Sequence, residues 1–254
     1  MSLSRSALLQ SFDALLTPDR FKDYGPNGLQ VEGRAEIRKI VSGVTASRAF
    51  IEAAIAEGAD ALFVHHGLFW RGQDGRVTGW MRQRLGLLIG HDVNLFAYHL
   101  PLDAHPLLGN NAQLGRVLGL EAQATRFGEQ DLGWLGTPEA GTAFDGAAAL
   151  GRHVESRLGR PVTVVPGDGR PLRRIAWCTG GAQGFFEAAI AAGADAFLTG
   201  EISEPQAHYA RETGVAFLAC GHHATERYGA PAVAAQVAAA HGLEHVFIDI
   251  DNPA

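Results

Sequence analysis

The sequence predicts an α/β protein made of two duplicated, intertwined units whose mixed sheets are covered by helices. Three observations lead to that fold class. One stretch of chain recurs at a constant offset, each copy reads strand, helix, strand, and the strands are apolar throughout, as in sheets buried on both faces.

Residues 38–61 align with residues 173–196 at an offset of 135, and Phe50-Ile-Glu-Ala-Ala-Ile-Ala-Glu-Gly-Ala-Asp-Ala61 matches Phe185-Phe-Glu-Ala-Ala-Ile-Ala-Ala-Gly-Ala-Asp-Ala196 at ten of twelve positions. Each copy opens with an apolar strand (39–44 and 174–178) and continues into a helix rich in Ala, Ile and Glu. Gly58 or Gly193 stands in the place of a C-cap glycine, and a second apolar strand follows at once (61–64 and 196–199). A weaker alignment at offset 123 places residues 94–120 over 217–243, matching Leu95 with Leu218, His99 with His222 and Gly119-Leu120 with Gly242-Leu243. Both copies read as strand, polar strand end, helix, then Gly-Leu.

Between the copies, residues 121–170 predict a helix over 144–158 and a short strand over 162–165, punctuated by Gly159, Pro161, Pro166 and Gly169. A last strand is expected over 244–250. The first sixteen residues fit an amphipathic helix rather than a leader peptide, which would need a small-residue cleavage site. The expected division is a first unit over residues 1–120 and a connection plus second unit over 121–254.

Of the 254 residues, 46% are hydrophobic and 19% charged, which excludes a disordered or fibrous chain. A net charge of -6 without basic runs gives no footprint for bulk nucleic-acid binding. No stretch approaches the ~18 apolar residues of a membrane span. Cys178 and Cys220 lie in apolar runs and read as reduced strand residues of a cytoplasmic protein.

Ligands of open α/β sheets collect beyond the carboxyl ends of strands. The strand ends here carry His65-His66-Gly67, His99 through Asp103, Thr199-Gly200-Glu201 and Gly221-His222-His223 through Glu226. In the second alignment His99 and Asp103 lie over His222 and Glu226, so each half offers an imidazole with a carboxylate four positions on. Two such halves facing each other would place a metal site in the cleft between them. Imidazole with carboxylate is the ligand mix of Zn, Mn, Fe and Co sites, and no thiolate is obligatory. The segment Asn27-Gly28-Leu29-Gln30 reads as an Asn-Gly turn first and as a cleft-lining segment second.

Six segments carry a family resemblance over nearly the whole chain: Gly25-Pro-Asn-Gly-Leu-Gln-Val-Glu-Gly33, His65-His-Gly67, Tyr98-His-Leu-Pro-Leu-Asp-Ala-His105, Thr199-Gly-Glu201, Gly221-His-His-Ala-Thr-Glu226 and Phe247-Ile-Asp-Ile250. They resemble the dinuclear-metal-centre hexameric proteins, the Nif-three-like family of GTP cyclohydrolase 1 type 2 homologues. The resemblance implies two divalent ions per chain held by His65, His66, Asp103, His222 and Glu226, with Glu226 bridging, in a homo-hexamer. It implies hydrolysis of a small, nucleotide-like substrate, with opening of the guanine ring of GTP as the named chemistry. His99 or Glu201 would then move protons. His223 stands where many members have Tyr, and the four-residue spacing to Glu226 favours His222 as the ligand. Another dinuclear hydrolase, such as a phosphoesterase, and a non-catalytic metal-binding interaction protein are the other readings. Neighbours on a pleated strand point to opposite faces, so His65 and His66 are expected to diverge and serve different ions.

Overall fold

The structure is a computed structural model that describes every residue from Met1 to Ala254. The chain forms two compact units, one of Met1–Gly109 with Arg227–Asp251, the other of Asn110–Glu226 with Asn252–Ala254.

In chain order the first unit begins with β1 (Leu3–Ser4), α1 (Arg5–Leu16), β2 (Gly28–Val31), β3 (Glu36–Ile37) and β4 (Lys39–Thr45). It continues with α2 (Arg48–Ala56), β5 (Ala61–His66), α3 (Gly79–Gly90), β6 (Asn94–Ala97) and α4 (Leu100–Ala104). The second unit holds α5 (Asn110–Val117), β7 (Leu120–Phe127), β8 (Gly133–Pro138), α6 (Ala147–Leu158), β9 (Thr163–Val165) and β10 (Ile175–Trp177). It closes with α7 (Phe186–Ala191), β11 (Ala196–Thr199), α8 (Glu204–Thr213), β12 (Ala216–Ala219) and α9 (His222–Glu226), after which α10 (Gly229–His241) and β13 (Glu244–Phe247) return to the first unit.

The first unit is a five-stranded sheet in the order β13-β4-β5-β6-β2, parallel except for β2. Because strand side chains alternate between faces, Ile40, Phe63 and Phe96 meet Leu8, Phe12 and Leu16 of α1 and Val233 and Val237 of α10. Val41, Leu62, Val64 and Leu95 of the other face meet Phe50, Ile51 and Ala54 of α2 and Met81, Leu85 and Leu88 of α3. Burying each large side chain contributes about 1.5–3 kcal/mol, so both faces hold the sheet. The Ser4 hydroxyl starts α1 by accepting from the Ala7 N–H at 3.2 Å.

The second unit is a six-stranded mixed sheet, β7-β8-β10-β11-β12-β9, in which β10, β11 and β12 run parallel. Phe186 of α7 packs against Phe197 and Phe217, with ring centroids 6.0 and 5.0 Å away.

The duplication holds to the residue in its first block: Ile40 pairs with Ala61 and Ile175 with Ala196, both partners moved by 135. The second block is corrected by one residue. Leu62 pairs with Leu95, whereas its counterpart Phe197 pairs with Phe217, not with Leu218. The side-chain match of His99 with His222 therefore compares backbone positions one step apart.

Three other expectations change. The chain crosses into the second unit at Asn110, earlier than the boundary expected after residue 120, and its last strand leaves that unit because β13 pairs parallel with β4. The hairpin of β7 and β8 lies where a connection was expected; residues 121–125 of β7 are all exposed, so the strand's middle buries neither face. Helix α6 starts at Ala147, as Phe144 is taken by a bridge to Leu172. No helix is long and apolar enough to cross a membrane, and neither Cys178 nor Cys220 is in a disulfide.

Candidate metal centre

In the first unit, β5 ends on His65 and His66, and β6 leads through Tyr98 to His99 and the short helix α4 that carries Asp103. The nitrogens of His65, His66 and His99 lie within 4.8 Å of one another. Ring centroids are 4.5 Å apart for His65 and His66 and 5.0 Å for His65 and His99. The expected divergence of His65 and His66 does not occur: the pleat ends at His66, and Gly67 follows with Gln30 pressed where a Cβ would stand. Nε2 of His65 faces Oδ1 of Asp103 at 3.5 Å.

Hydrogen bonds orient these rings. Nδ1 of fully buried His65 lies 3.1 Å from the Tyr98 carbonyl oxygen, which can only accept, so Nδ1 is the donor and the ring is held with Nε2 toward Asp103. Nδ1 of His99 lies 2.7 Å from Oδ1 of Asp23. The other oxygen of Asp23 accepts from the Leu100 N–H at 2.9 Å and from Asn27 Nδ2 at 2.9 Å. Burial alone would raise the Asp23 pKa, but His99, Asn27 and the Tyr24 N–H outweigh it and hold the carboxyl at about 2. His66 Nδ1 shares a hydrogen bond with the Thr45 hydroxyl at 3.1 Å.

In the second unit, α9 carries His222 and Glu226 one helical turn apart, with Nε2 to Oε2 at 3.2 Å. Nδ1 of His222 meets Oε1 of Glu201 at 2.6 Å. Burial would lower the His222 pKa, but Glu226 and then Glu201 outweigh it and raise it to about 9 in the absence of a metal. Gly180 leaves room for this pair: at φ +70° its missing Cβ would strike Oε1 of Glu226 and lie 3.1 Å from Nε2 of His222. The Gly180 N–H donates to Thr225 Oγ1 at 3.0 Å, anchoring α9. His223 is buried, and its N–H donates to the Ala254 carbonyl at 3.2 Å.

The six residues singled out by sequence thus fall into one set of four and one of two. Their chemistry suits a divalent ion. His65, His99 and His222 are each held at Nδ1 by an oxygen acceptor, the arrangement that orients imidazole ligands and leaves Nε2 as donor atom. In His65 and His222 that Nε2 faces a carboxylate oxygen, where a cation or a proton relieves the meeting of lone pairs. Sequence reasoning missed Asp23. It set a turn at Asn27 above a place lining the cleft, whereas Asn27 Oδ1 accepts the His99 N–H at 2.7 Å. The only available signal was that both precede or sit within the Gly-Pro-Asn-Gly segment.

Residues 3–253 match the profile of the Duf34/NIF3 (NGG1p interacting factor 3) family. A Neisseria meningitidis serogroup B protein named GTP cyclohydrolase 1 type 2 homolog is 54% identical over 92% of each chain. A Pseudomonas aeruginosa protein of the same name is 49% identical over the whole of both. Among solved structures, that of the protein ybgI, described as of unknown function, superposes with a TM-score of 0.93 at 44% identity, covering 99% of this chain and 100% of the other.

Proposed function

Because this chain belongs to the Duf34/NIF3 family, we propose that it is a metal-dependent hydrolase of a small, nucleotide-like substrate. In this reading His65, His66 and Asp103 of the first unit and His222 and Glu226 of the second together hold two divalent ions of the Zn, Mn, Fe or Co class. Glu226 is the bridging carboxylate, and the working form is a cytoplasmic homo-hexamer.

The observation that carries the reading is the orientation of the imidazoles, with Nδ1 engaged at His65, His99 and His222. Five protein ligands shared by two ions leave coordination positions for water and substrate, which favours turnover over a structural role. Ions of this class lower the pKa of water and polarise the bond to be broken. His99, backed by Asp23, is the residue that takes and returns a proton through Nε2. The name carried by the relatives points to GTP and to hydrolytic opening of its guanine ring.

The test is turnover of nucleotides and phosphoesters by metal-reconstituted protein, with Asp103→Ala as the blank. Nucleotide turnover that is absent in Asp103→Ala is expected; equal rates in the two proteins would overturn the reading. Metal content read by plasma emission checks the ligand set independently. His65→Ala and His66→Ala should each retain about one ion per chain, whereas Glu226→Ala should weaken both, since it removes the counter-charge the two ions share. Two full equivalents in all three variants would show the ligands to be elsewhere.

A further inference from the structure

Beside the imidazoles of the first unit stand three residues outside the His/Asp/Glu set: Tyr24, Trp70 and Arg71. The Trp70 ring lies 5.1 Å from the His99 ring at 89° and 6.0 Å from that of His66. Tyr24 lies 6.0 Å from His99 on the same cluster. Core packing does not explain them. Phe12, Phe63 and Phe96 are fully buried, whereas Tyr24 is 54% exposed and Trp70 is half-buried.

The loops that carry these rings are tied together. The Arg71 N–H donates to the Tyr24 carbonyl at 2.6 Å, and Arg71 Nη2 donates to the Asp23 carbonyl at 2.8 Å. The Trp70 N–H donates to Gln73 Oε1 at 3.1 Å, and the Gln73 N–H returns to the Trp70 carbonyl at 3.2 Å. Gly25 brings the two segments into contact, since a Cβ there would run into the Phe69 carbonyl. The two segments that carry the rings are therefore joined before any ligand arrives, and aromatic side chains, with two torsions each, lose little entropy on contact.

Arg71 adds charge. Its exposed guanidinium makes one hydrogen bond, to a backbone carbonyl, and no ion pair, so most of its five N–H donors face solvent. The crevice bounded by Pro26, Gln30, His65, Trp70 and His99 is pinched to about 10 Å³, about the room of one water. A ligand ring would lie against the outer wall rather than enter it.

We infer that Tyr24 and Trp70 form the wall on which the base of a nucleoside phosphate packs, and that Arg71 takes its phosphate. The inference rests on the nucleotide reading above and names its recognition residues. Aromatic faces accept any planar base, and the guanidinium fork matches phosphate oxygens in pairs.

Calorimetric titration of the metal-loaded full chain with guanosine, guanosine 5′-monophosphate and inorganic pyrophosphate tests it. Trp70→Leu should weaken guanosine and its monophosphate alike by about tenfold and leave pyrophosphate unchanged. Arg71→Gln should weaken the monophosphate and spare guanosine. Tyr24→Ala, at an exposed position, gives the same readout as Trp70→Leu should that variant fold poorly. Monophosphate binding within about twofold of wild type in all three variants, or no nucleoside binding by wild type at millimolar concentration, overturns the wall. Turnover on the same proteins separates the two ideas. Binding lost in the variants without any wild-type turnover keeps the wall and removes the hydrolase, whereas turnover with unchanged KM in every variant does the reverse.

Discussion

In the first unit the carboxylate at Nδ1 of His99 comes from Asp23, in the loop before β2; in the second, the one at Nδ1 of His222 comes from Glu201, just after β11. The two contacts have almost the same length, 2.7 and 2.6 Å, yet their carboxylates are not equivalents in the repeat. Glu201 corresponds to His66 at offset 135, and Asp23 has no counterpart. Glycine shows why the second unit could not keep the first unit's arrangement. Gly200, the counterpart of His65, has the Gly180 carbonyl oxygen 2.6 Å from where its Cβ would stand, so no imidazole fits there. Duplication conserved the strands, and each unit then assembled its own oriented imidazole from the loops at hand.

The environments differ as well. The Asp23 side chain is 3% exposed and accepts from His99, Asn27, Leu100 and Tyr24, whereas Glu201 is 45% exposed. Removing Asp23 should therefore have the largest effect. Asp23→Ala leaves four donors, three of them partly buried, without their acceptor and should cost about 3–5 kcal/mol of stability, read by urea unfolding of chelator-treated protein. A loss below about 1 kcal/mol would show that water replaces the carboxylate and that the buried and exposed pairs are alike after all.

The repeat and the strand ends were legible because they rest on local signals: apolar runs, C-cap glycines and an identity that survives duplication. Even the pairing of Ile40 with Ala61 recurs in the second copy. Strand β7 was hidden because its middle is exposed on both faces and small alanines there mark no buried side. The return of β13 to β4 joins Glu244 to Lys39, and nothing local in either strand encodes so distant a partner. Asp23 was hidden for the same reason, since a loop carboxylate is identified only by what it touches. The one-residue step between His99 and His222 could not be read from side-chain identities; only sheet register exposes it.

A second comparison sets Thr45 against its counterpart Gly180, both at the ends of strands beside an imidazole. Thr45 adds a hydrogen bond to His66, whereas Gly180 supplies space and a positive φ. Gly180→Ala should cost about 2–3 kcal/mol, from a strained φ and a displaced, buried Glu226. The same variant should lose bound metal. Thr45→Ala removes one hydrogen bond and should cost about 1 kcal/mol with metal content retained. Equal losses at the two positions would mean that the strand ends, and not the space left at Gly180, set the donor geometry.

The smallest effect is expected at Glu201. Its pair with His222 is as short as any in the molecule, but side-chain exposures of 45% and 29% leave both groups open to water and salt. Solvent screening reduces such a pair to about 1 kcal/mol or less, whatever its length. Glu201→Ala in chelator-treated protein should therefore shift the unfolding midpoint only slightly. The shift should shrink further at about 1 M salt, where screening acts within a few ångström. Asp23→Ala should keep most of its cost in the same salt, because the carboxylate is buried and its loss is one of unsatisfied hydrogen bonds as well as of charge. If the cost of Glu201→Ala matched that of Asp23→Ala and resisted salt, exposure would not be the property that separates the two imidazoles. Their difference would then have to come from the one-residue step that places His222 on helix α9 and His99 just before α4.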